Sequence, residues 1–216
     1  MKRVMLLIIT FGIALLFTGC GSKKAKEPFT GVEVETHLDE MRNDGFYIEY
    51  KYHNSSNNSD KILFLGAKNN KFVVGENNKT DYYDFEYHYY EDGDTWIKEK
   101  ETLFENDRKT KIYSEIWCIF EYLDIYCRKD EMKLEKSRKT KYLGRNCSEY
   151  VFQHVVKTIS YTFVSKYTFM FDDMTGIGMK FSFDNMGEKK WYNNYYFECV
   201  DFKNSYDVIL PTVSVD

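Results

Sequence analysis

Proline, metal-ligand clusters and catalytic motifs are scarce in this chain. Two prolines and 12 glycines in 216 residues leave long stretches in which extended strands can run without interruption. There is no HExxH, GxSxG or SxxK motif and no glycine-rich phosphate loop, and the four histidines stand apart among polar neighbours. The sequence therefore predicts a protein that is not an enzyme and that carries neither a metal ion nor a cofactor.

An excess of basic charge is also missing. The formal net charge is −4, and removal of Lys2 and Arg3 with an N-terminal leader would make it −6. A chain of this sign has no general attraction for a polyanion. We expect no nucleic-acid partner.

Long hydrophobic runs are limited to the N-terminus. Residues 4–17 are mostly apolar, which is short for a membrane-spanning helix, and they follow the basic pair Lys2 and Arg3. They lead into Leu16-Phe17-Thr18-Gly19-Cys20. This arrangement resembles the bacterial lipoprotein signal with its lipobox. The resemblance implies cleavage before Cys20, a lipid on that cysteine, and attachment to the cell membrane on its extracytoplasmic face.

This leader predicts three parts for the chain. Residues 1–19 form the signal peptide, and residues 20–30 form a flexible tether of small and polar side chains around Pro28. Residues 31–216 form a single domain, long enough to bury a substantial core.

Four further cysteines leave the redox state open. Cys118, Cys127, Cys147 and Cys199 are an even set that an exported protein can oxidise in three pairings. Four reduced, buried thiols are equally compatible with the sequence. Cys118 and Cys127 cannot pair within one continuous helix, because nine residues of helix separate them by about 13 Å along the axis.

Strand-like alternation dominates the rest of the chain, and helical spacing occurs twice. The predicted helices cover residues 32–42, ended by Asn43-Asp44-Gly45, and residues 110–128. The main predicted strands cover residues 46–53, 62–67, 71–74, 83–89, 95–101, 159–171, 179–183 and 191–202, with a charged connection over residues 129–141.

Two of these segments carry a further expectation. Asp92-Gly93 predicts a hairpin, which explains the acidic residues Glu91, Asp92 and Asp94 better than a calcium loop does. The strand over residues 159–171 must curve or break near Ser165-Lys166, because thirteen residues of strand would be about 43 Å long.

The order of elements predicts the fold class. It is α+β, a large curved antiparallel β-sheet that forms an open half-barrel, with a few helices covering the concave side.

Three motifs in the second half of the chain point in the same direction. They are Gly144-Arg145-Asn146-Cys147-Ser148-Glu149-Tyr150, Asp172-Asp173-Met174-Thr175-Gly176-Ile177-Gly178-Met179-Lys180 and Val208-Ile209-Leu210-Pro211. Together they resemble the LolA/LolB-like superfamily of lipoprotein carriers and receptors. The resemblance implies a half-barrel with helices over its mouth and a cavity for acyl chains or another apolar ligand. It assigns no binding residue by position.

Apolar side chains on the predicted strand faces and on the helical stripe are the candidates for lining such a cavity. They are Tyr83, Phe85, Tyr87, Ile116, Phe120, Leu123, Tyr161, Phe163, Phe169 and Phe171. An aromatic stripe on a strand is, however, more often plain core.

Two functions follow from this sequence. The first is a lipid-anchored extracytoplasmic lipoprotein that binds a lipid or another hydrophobic ligand. The second is an envelope or cell-surface lipoprotein with a solid core that binds another protein or senses the envelope.

Overall fold

A computed structural model of the chain describes residues 25–101, 105–187 and 190–213. The predicted signal peptide, the lipobox with Cys20 and the first part of the tether lie outside these residues. The described helices are α1 Gly31–Asp44, α2 Glu105–Glu115 and α3 Glu121–Cys127. The described strands are β1 Phe46–Asn54, β2 Ser59–Lys68, β3 Lys71–Glu76, β4 Lys79–Tyr83, β5 Tyr87–Asp92, β6 Thr95–Lys100, β7 Lys133–Tyr142, β8 Arg145–Lys157, β9 Thr162–Asp172, β10 Gly178–Met186 and β11 Trp191–Lys203.

All of these strands belong to one antiparallel sheet, in the order β6-β5-β4-β3-β2-β1-β11-β10-β9-β8-β7. Strands that follow each other in sequence pair within each half, and the halves are joined where β1 pairs with β11, for example with Tyr52 opposite Phe197. Strands β6 and β7 are the two edges, so the sheet formed by the described residues is open. The predicted α+β class with a large antiparallel sheet is confirmed.

Both ends of helix α1 are set by residues next to it in the sequence. The Glu33 N–H donates to Thr30 Oγ1 at 3.3 Å, and the Thr30 N–H donates to the Glu33 carboxylate at 2.7 Å, which is a capping box. Gly45 follows the helix at a φ of 87°, a conformation that favours glycine. The observed helix, Gly31–Asp44 followed by Gly45, agrees with the helix predicted over residues 32–42 and with its predicted end at Asn43-Asp44-Gly45.

The strand predicted over residues 83–89 is interrupted, so that prediction is wrong. Strands β4 and β5 are separated by residues 84–86. The Asp84 carboxylate accepts hydrogen bonds from the backbone N–H groups of Glu86 and Tyr87, both at 2.8 Å, and such a local turn competes with strand pairing. Strands β5 and β6 then form the hairpin predicted at Asp92-Gly93.

The single helix predicted over residues 110–128 is also wrong. Helix α2 ends at Glu115, and a 3₁₀ turn at Trp117–Ile119 separates it from α3. Successive residues of a continuous α-helix are rotated by about 100°, so Ile116 and Cys118 would face nearly opposite directions. The break lets both side chains enter the core, where neither has exposed surface.

The segment predicted as a charged connection, residues 129–141, is mostly strand. A 3₁₀ turn covers Lys129–Glu131, and β7 then pairs along β8 from Gln153 to Arg145. Strand β7 lacks a hydrophobic period because it is an edge strand whose side chains are largely exposed, and charged residues are typical of such edges.

Strand β9 passes through Ser165 without a break. Residues 158–161 precede it as a turn, in which the Thr158 N–H donates to the Tyr161 carbonyl at 2.9 Å. The strand predicted over residues 159–171 therefore begins later, at Thr162, and continues without a break through Ser165 to Asp172.

All three helices contact the sheet, α1 at β2, α2 at β3, and α3 at β9 and β10. The core lies between them and one face of the sheet, which we call the helix-facing side. It contains Tyr50, Tyr122 and Phe169 among the largest fully buried side chains. None of the described helices combines the length and the apolar character needed to cross a bilayer.

Residues 25–30, predicted as part of the tether, contact the body of the domain. The Lys26 N–H donates to Ser148 Oγ at 2.7 Å, and Lys26 Nζ donates to the Asp173 carbonyl at 2.7 Å. The Tyr150 hydroxyl donates to the Lys26 carbonyl at 2.8 Å, and Phe29 packs on the core beside Gly176. This part of the segment is docked where β8 meets the turn between β9 and β10.

The first two of the three motifs are joined by an ion pair. Arg145 donates through Nε and Nη2 to the two carboxylate oxygens of Asp172, both at 3.0 Å. Asp172 is almost completely buried, and it also accepts from the N–H and the hydroxyl of Thr175. A bidentate pair of this kind fixes the relative orientation of the two segments.

Candidate functional site

Two rows of aromatic side chains cross the helix-facing side of the sheet. Strand alternation places every second residue on this side, and pairing aligns these residues across four strands. The packed row is Tyr150, Phe169, Phe181 and Phe197, and the cleft row is Phe152, Tyr167, Phe183 and Tyr195.

The packed row is covered by the helical segment. The Tyr122 ring stacks on Phe169 with a centroid distance of 5.6 Å, and the Trp117 ring meets Phe197 edge-on at 5.8 Å. The Tyr122 hydroxyl donates to the Gly176 carbonyl, so its polar end is satisfied although the residue is buried. This part of the sheet is solid core.

The cleft row is only partly covered by α3, which lies beside it. Tyr167, Phe183 and Tyr195 are half-buried and form one wall of a cleft with a volume of about 240 Å³. The complete lining is Glu121, Asp124, Ile125, Arg128, Met132, Tyr167, Phe183 and Tyr195. Sheet aromatics, Ile125 and Met132 provide apolar walls, and the charged residues are all supplied by α3 and the residue that follows it.

One polar contact crosses this cleft from sheet to helix. The Tyr195 hydroxyl donates to Glu121 Oε1 at 2.8 Å. Burial raises the pKa of the Glu121 carboxyl, and the nearby Asp124 carboxylate adds to the rise. Burial, followed by the Glu121 charge, raises the pKa of Tyr195 in turn. The pair offers a hydrogen-bonding point in otherwise apolar surroundings.

The available chemistry is limited by the lining. None of the cleft's lining residues is Ser, Thr, Cys, His or Lys, so its polar chemistry is hydrogen bonding by Glu121, Asp124, Arg128 and the tyrosine hydroxyls. Across the described part of the chain, no group of three or more His, Cys, Asp or Glu side chains is placed to hold a metal ion.

A row of polar side chains lies next to the cleft row, on the side away from the packed row. It consists of His154, Ser165, Asn185 and Tyr192, and the Ser165 hydroxyl donates to Asn185 Oδ1 at 2.8 Å. The cleft is thus bordered by solid core on one side and by a polar band on the other.

A larger depression lies over β4 to β6. It has a volume of about 590 Å³ and a mainly polar lining, which includes Asp81, His88, Glu91 and Glu99. His88 Nε2 is 3.0 Å from Asp81 Oδ1, and its ring stacks on Tyr83 at 4.5 Å. This surface lacks the apolar walls of the α3 cleft.

The candidate lining residues predicted from the sequence are spread over the sheet and the helical segment and do not form one site. Tyr83, Ile116, Phe169 and Phe171 are buried core residues, while Tyr87, Phe120 and Leu123 are half-buried and Phe85, Tyr161 and Phe163 are exposed. None of the ten lines the α3 cleft. Phe169 and Phe171 do stack on Tyr122, next to the cleft.

The cleft residues themselves were not singled out from the sequence. Tyr167 belongs to the predicted alternation of β9, and Phe183 and Tyr195 belong to predicted aromatic strands. Met132 lies in the segment taken as a connection, and Glu121 has no motif around it. Alternation identified the correct face of β9, but strand register was needed to align Tyr167 with Phe183 and Tyr195.

The four described cysteines are unpaired. Cys118, Cys147 and Cys199 are buried, and Cys127 is exposed. Burial raises the pKa of the Cys147 and Cys199 thiols to about 12 in each case.

Comparison with known proteins gives structural similarity only. No protein-family model and no curated relative matches the chain. Among solved structures, the chain is similar to the crystal structure of LprF from Mycobacterium bovis, with a TM-score of 0.34 and 8% sequence identity over 86% of this chain and 99% of that chain. A similarity at this level assigns neither a ligand nor a function.

Proposed function

We propose that this protein is a lipoprotein, anchored through Cys20 to the extracytoplasmic face of the cell membrane, that binds a lipid or another hydrophobic ligand in the α3 cleft. The proposal that a ligand binds here rests on the cleft row. Its residues Tyr167, Phe183 and Tyr195 remain half-buried, although they lie next to a fully packed row of the same sheet. In this proposal the sheet curves as an open half-barrel, with the helices on its concave side.

The composition of the cleft supports an amphiphile with a small polar group. Ligand sites are mostly apolar with a few placed polar groups, and here the apolar walls surround the Glu121–Tyr195 hydrogen bond. The volume of about 240 Å³ holds only part of a long acyl chain, so the rest would extend along the open side of the cleft. We propose binding without catalysis.

The anchor is supported by the order of residues at the N-terminus. Lys2, Arg3, the apolar stretch and Cys20 follow one another as in lipoprotein signals. Metabolic labelling with a palmitate analogue should mark the wild-type protein and leave a Cys20→Ala variant unmarked. An unmarked wild-type protein that keeps its leader would contradict the anchor.

Ligand binding is tested by filling the cleft. Met132 lines the cleft and is half-buried, so Met132→Trp should occupy it and weaken saturable binding of a fluorescent fatty acid analogue about tenfold, which is about 1.4 kcal/mol. Met174→Trp is the matched control, because Met174 is 75% exposed in the turn between β9 and β10, and it should bind like the wild type. Absence of saturable binding, or equal loss in both variants, would contradict the proposal.

The second candidate, a protein-binding or sensing lipoprotein, is favoured by the solid part of the core. Ile112, Ile116 and Tyr122 have almost no exposed surface, so most of the helical segment is packed without room for a ligand. Crosslinking in cells separates the candidates. One stable protein partner, together with failure of the fatty acid analogue to bind, would favour this second function.

A further inference from the structure

The β8–β9 hairpin extends past both of its neighbours in the sheet. Strand β7 pairs with β8 only as far as Gln153, and β10 pairs with β9 only as far as Ser165. Residues 155–164, which we call the finger, therefore form a two-stranded hairpin beyond the rest of the sheet. Two-stranded hairpins have little stability of their own in water, so a surface placed against the finger would stabilise it.

The finger exposes apolar side chains that a protein in water normally covers. Ile159 is fully exposed, and Tyr161 and Phe163 are 55% and 57% exposed. Val155 and Val156 are each more than one third exposed. The rings of Tyr161 and Phe163 are in edge contact, with centroids 4.6 Å apart. Exposed apolar side chains concentrated in one short segment mark a contact surface.

The neighbouring edge strand is basic, although the whole chain has a formal net charge of −4. Strand β7 carries Lys133, Lys136, Arg138, Lys139 and Lys141 against Glu135. Arg138 pairs with Glu149 and Lys139 pairs with Asp173, and the strand remains positive when these two partners are counted. Lys157 adds a further positive charge within the finger.

The N-terminal segment reaches the same side of the sheet. The Lys26 N–H donates to Ser148 on β8, and Lys139 on β7 donates to the same hydroxyl at 3.0 Å. Lys26, close to the start of the described residues, therefore lies on the β7–β8 side of the sheet. The acidic hairpin between β5 and β6 lies at the opposite edge of the sheet.

We propose that this side of the sheet, made of the finger and β7, lies against an anionic lipid bilayer. The apolar and aromatic side chains of the finger enter the interfacial layer, and the lysines of β7 face the phosphate groups of the lipids. A bilayer fits better than a protein partner, because the finger is a narrow protrusion without a pocket and the charges along β7 are spread out and mostly positive. The contact does not involve the α3 cleft.

The length of β8 and the span of the residues between Cys20 and Lys26 limit how the domain can be oriented on the bilayer. From Ser148 to Lys157, β8 advances about 30 Å at 3.3 Å per residue, whereas the residues between Cys20 and Lys26 span at most about 20 Å. A lipid on Cys20 and the finger can therefore share one bilayer only if β8 is tilted well away from the bilayer normal.

A photoreactive phenylalanine analogue at position 159 tests the contact. The full-length protein, processed in the cell and purified from membranes, would be reconstituted into vesicles of phosphatidylglycerol and phosphatidylcholine and irradiated. The matched control is the analogue at Asp94, which is exposed in the β5–β6 turn. We expect lipid adducts at position 159 by mass spectrometry, and several-fold fewer at position 94. Equal yields at both positions, or protein adducts at position 159 on irradiation in cells, would overturn the proposal.

The contribution of β7 is tested by charge removal. The combined variant Lys133→Gln, Lys136→Gln and Lys141→Gln should lower the yield of lipid adducts at position 159 several-fold in vesicles that contain phosphatidylglycerol. The matched control, Lys71→Gln, Lys79→Gln and Lys100→Gln, removes the same charge from exposed sites in the other half of the sheet and should leave the yield unchanged. An equal effect of both variants, or none of either, would overturn the role of β7.

Discussion

Tyr195 on β11 donates a hydrogen bond of 2.8 Å to Glu121 at the start of α3. This contact ties the helix to the sheet at the cleft and holds a carboxyl group next to apolar walls. Burial raises the pKa of Glu121, so the fold favours its neutral form.

The first prediction concerns the pH dependence of stability. An unfolded glutamate ionises near its ordinary pKa, so the folded state binds more protons between that value and the raised folded pKa, and stability falls as the pH rises through this window. A glutamine at this position stays neutral at every pH. The melting temperature of Glu121→Gln relative to the wild type should therefore increase from about pH 4 upwards and become constant above the folded pKa. A difference that does not change with pH would contradict this.

The second prediction concerns the docked segment of residues 25–30. Gly176 and Gly144 both have positive φ values, of 72° and 77°, so alanine is strained at either position by about 1–3 kcal/mol. A Cβ at Gly176 would also lie 2.5 Å from a ring carbon of Phe29, whereas a Cβ at Gly144 meets nothing within 4 Å. Gly176→Ala should therefore be less stable to urea than Gly144→Ala, and it should expose residues 25–30 to proteolysis. Equal stability and equal proteolysis would show that Phe29 does not dock there.

The sequence was most informative where local chemistry decides the structure. The helical spacing of residues 32–42 with their stop at Asn43-Asp44-Gly45, and the glycine in Asp92-Gly93, depend on neighbouring residues, so the first helix and the β5–β6 hairpin could be predicted. The turn at Asp84 is also local, but the alternation of Tyr83, Phe85 and Tyr87 predicted a continuous strand in its place.

Features that depend on distant partners could not be predicted. Strand β7 is defined by its pairing with β8 and has no hydrophobic period of its own. The cleft combines Glu121, Met132 and Tyr195, which come together only through strand register and the break before α3. No pattern within any one of these segments indicates the others.

The third prediction concerns the ion pair between Arg145 and Asp172. Asp172→Ala leaves the mostly buried guanidinium without its partner, which should cost about 3–5 kcal/mol of unfolding free energy. Glu131→Ala removes one partner of the exposed pair with Arg128 and should cost at most about 1 kcal/mol. Urea unfolding of both variants measures the difference, and similar costs would contradict the burial of the Asp172 pair.

The fourth prediction concerns thiol reactivity. Cys127 is exposed, whereas Cys118, Cys147 and Cys199 are buried, and alkylation needs an accessible thiolate. Pulsed alkylation of the native protein should label Cys127 first, and labelling in urea should reach all four. Failure of two of them to react in urea without reductant would reveal a disulfide.

Native mass spectrometry of the full-length protein, purified gently from its own membranes, tests the central claim most directly. We predict that the wild type carries a noncovalent acyl compound, that Met132→Trp loses most of it, and that Met174→Trp retains it. A wild-type protein that is consistently free of any bound apolar molecule, in preparations that preserve the fold, would contradict the assignment of the α3 cleft as a binding site.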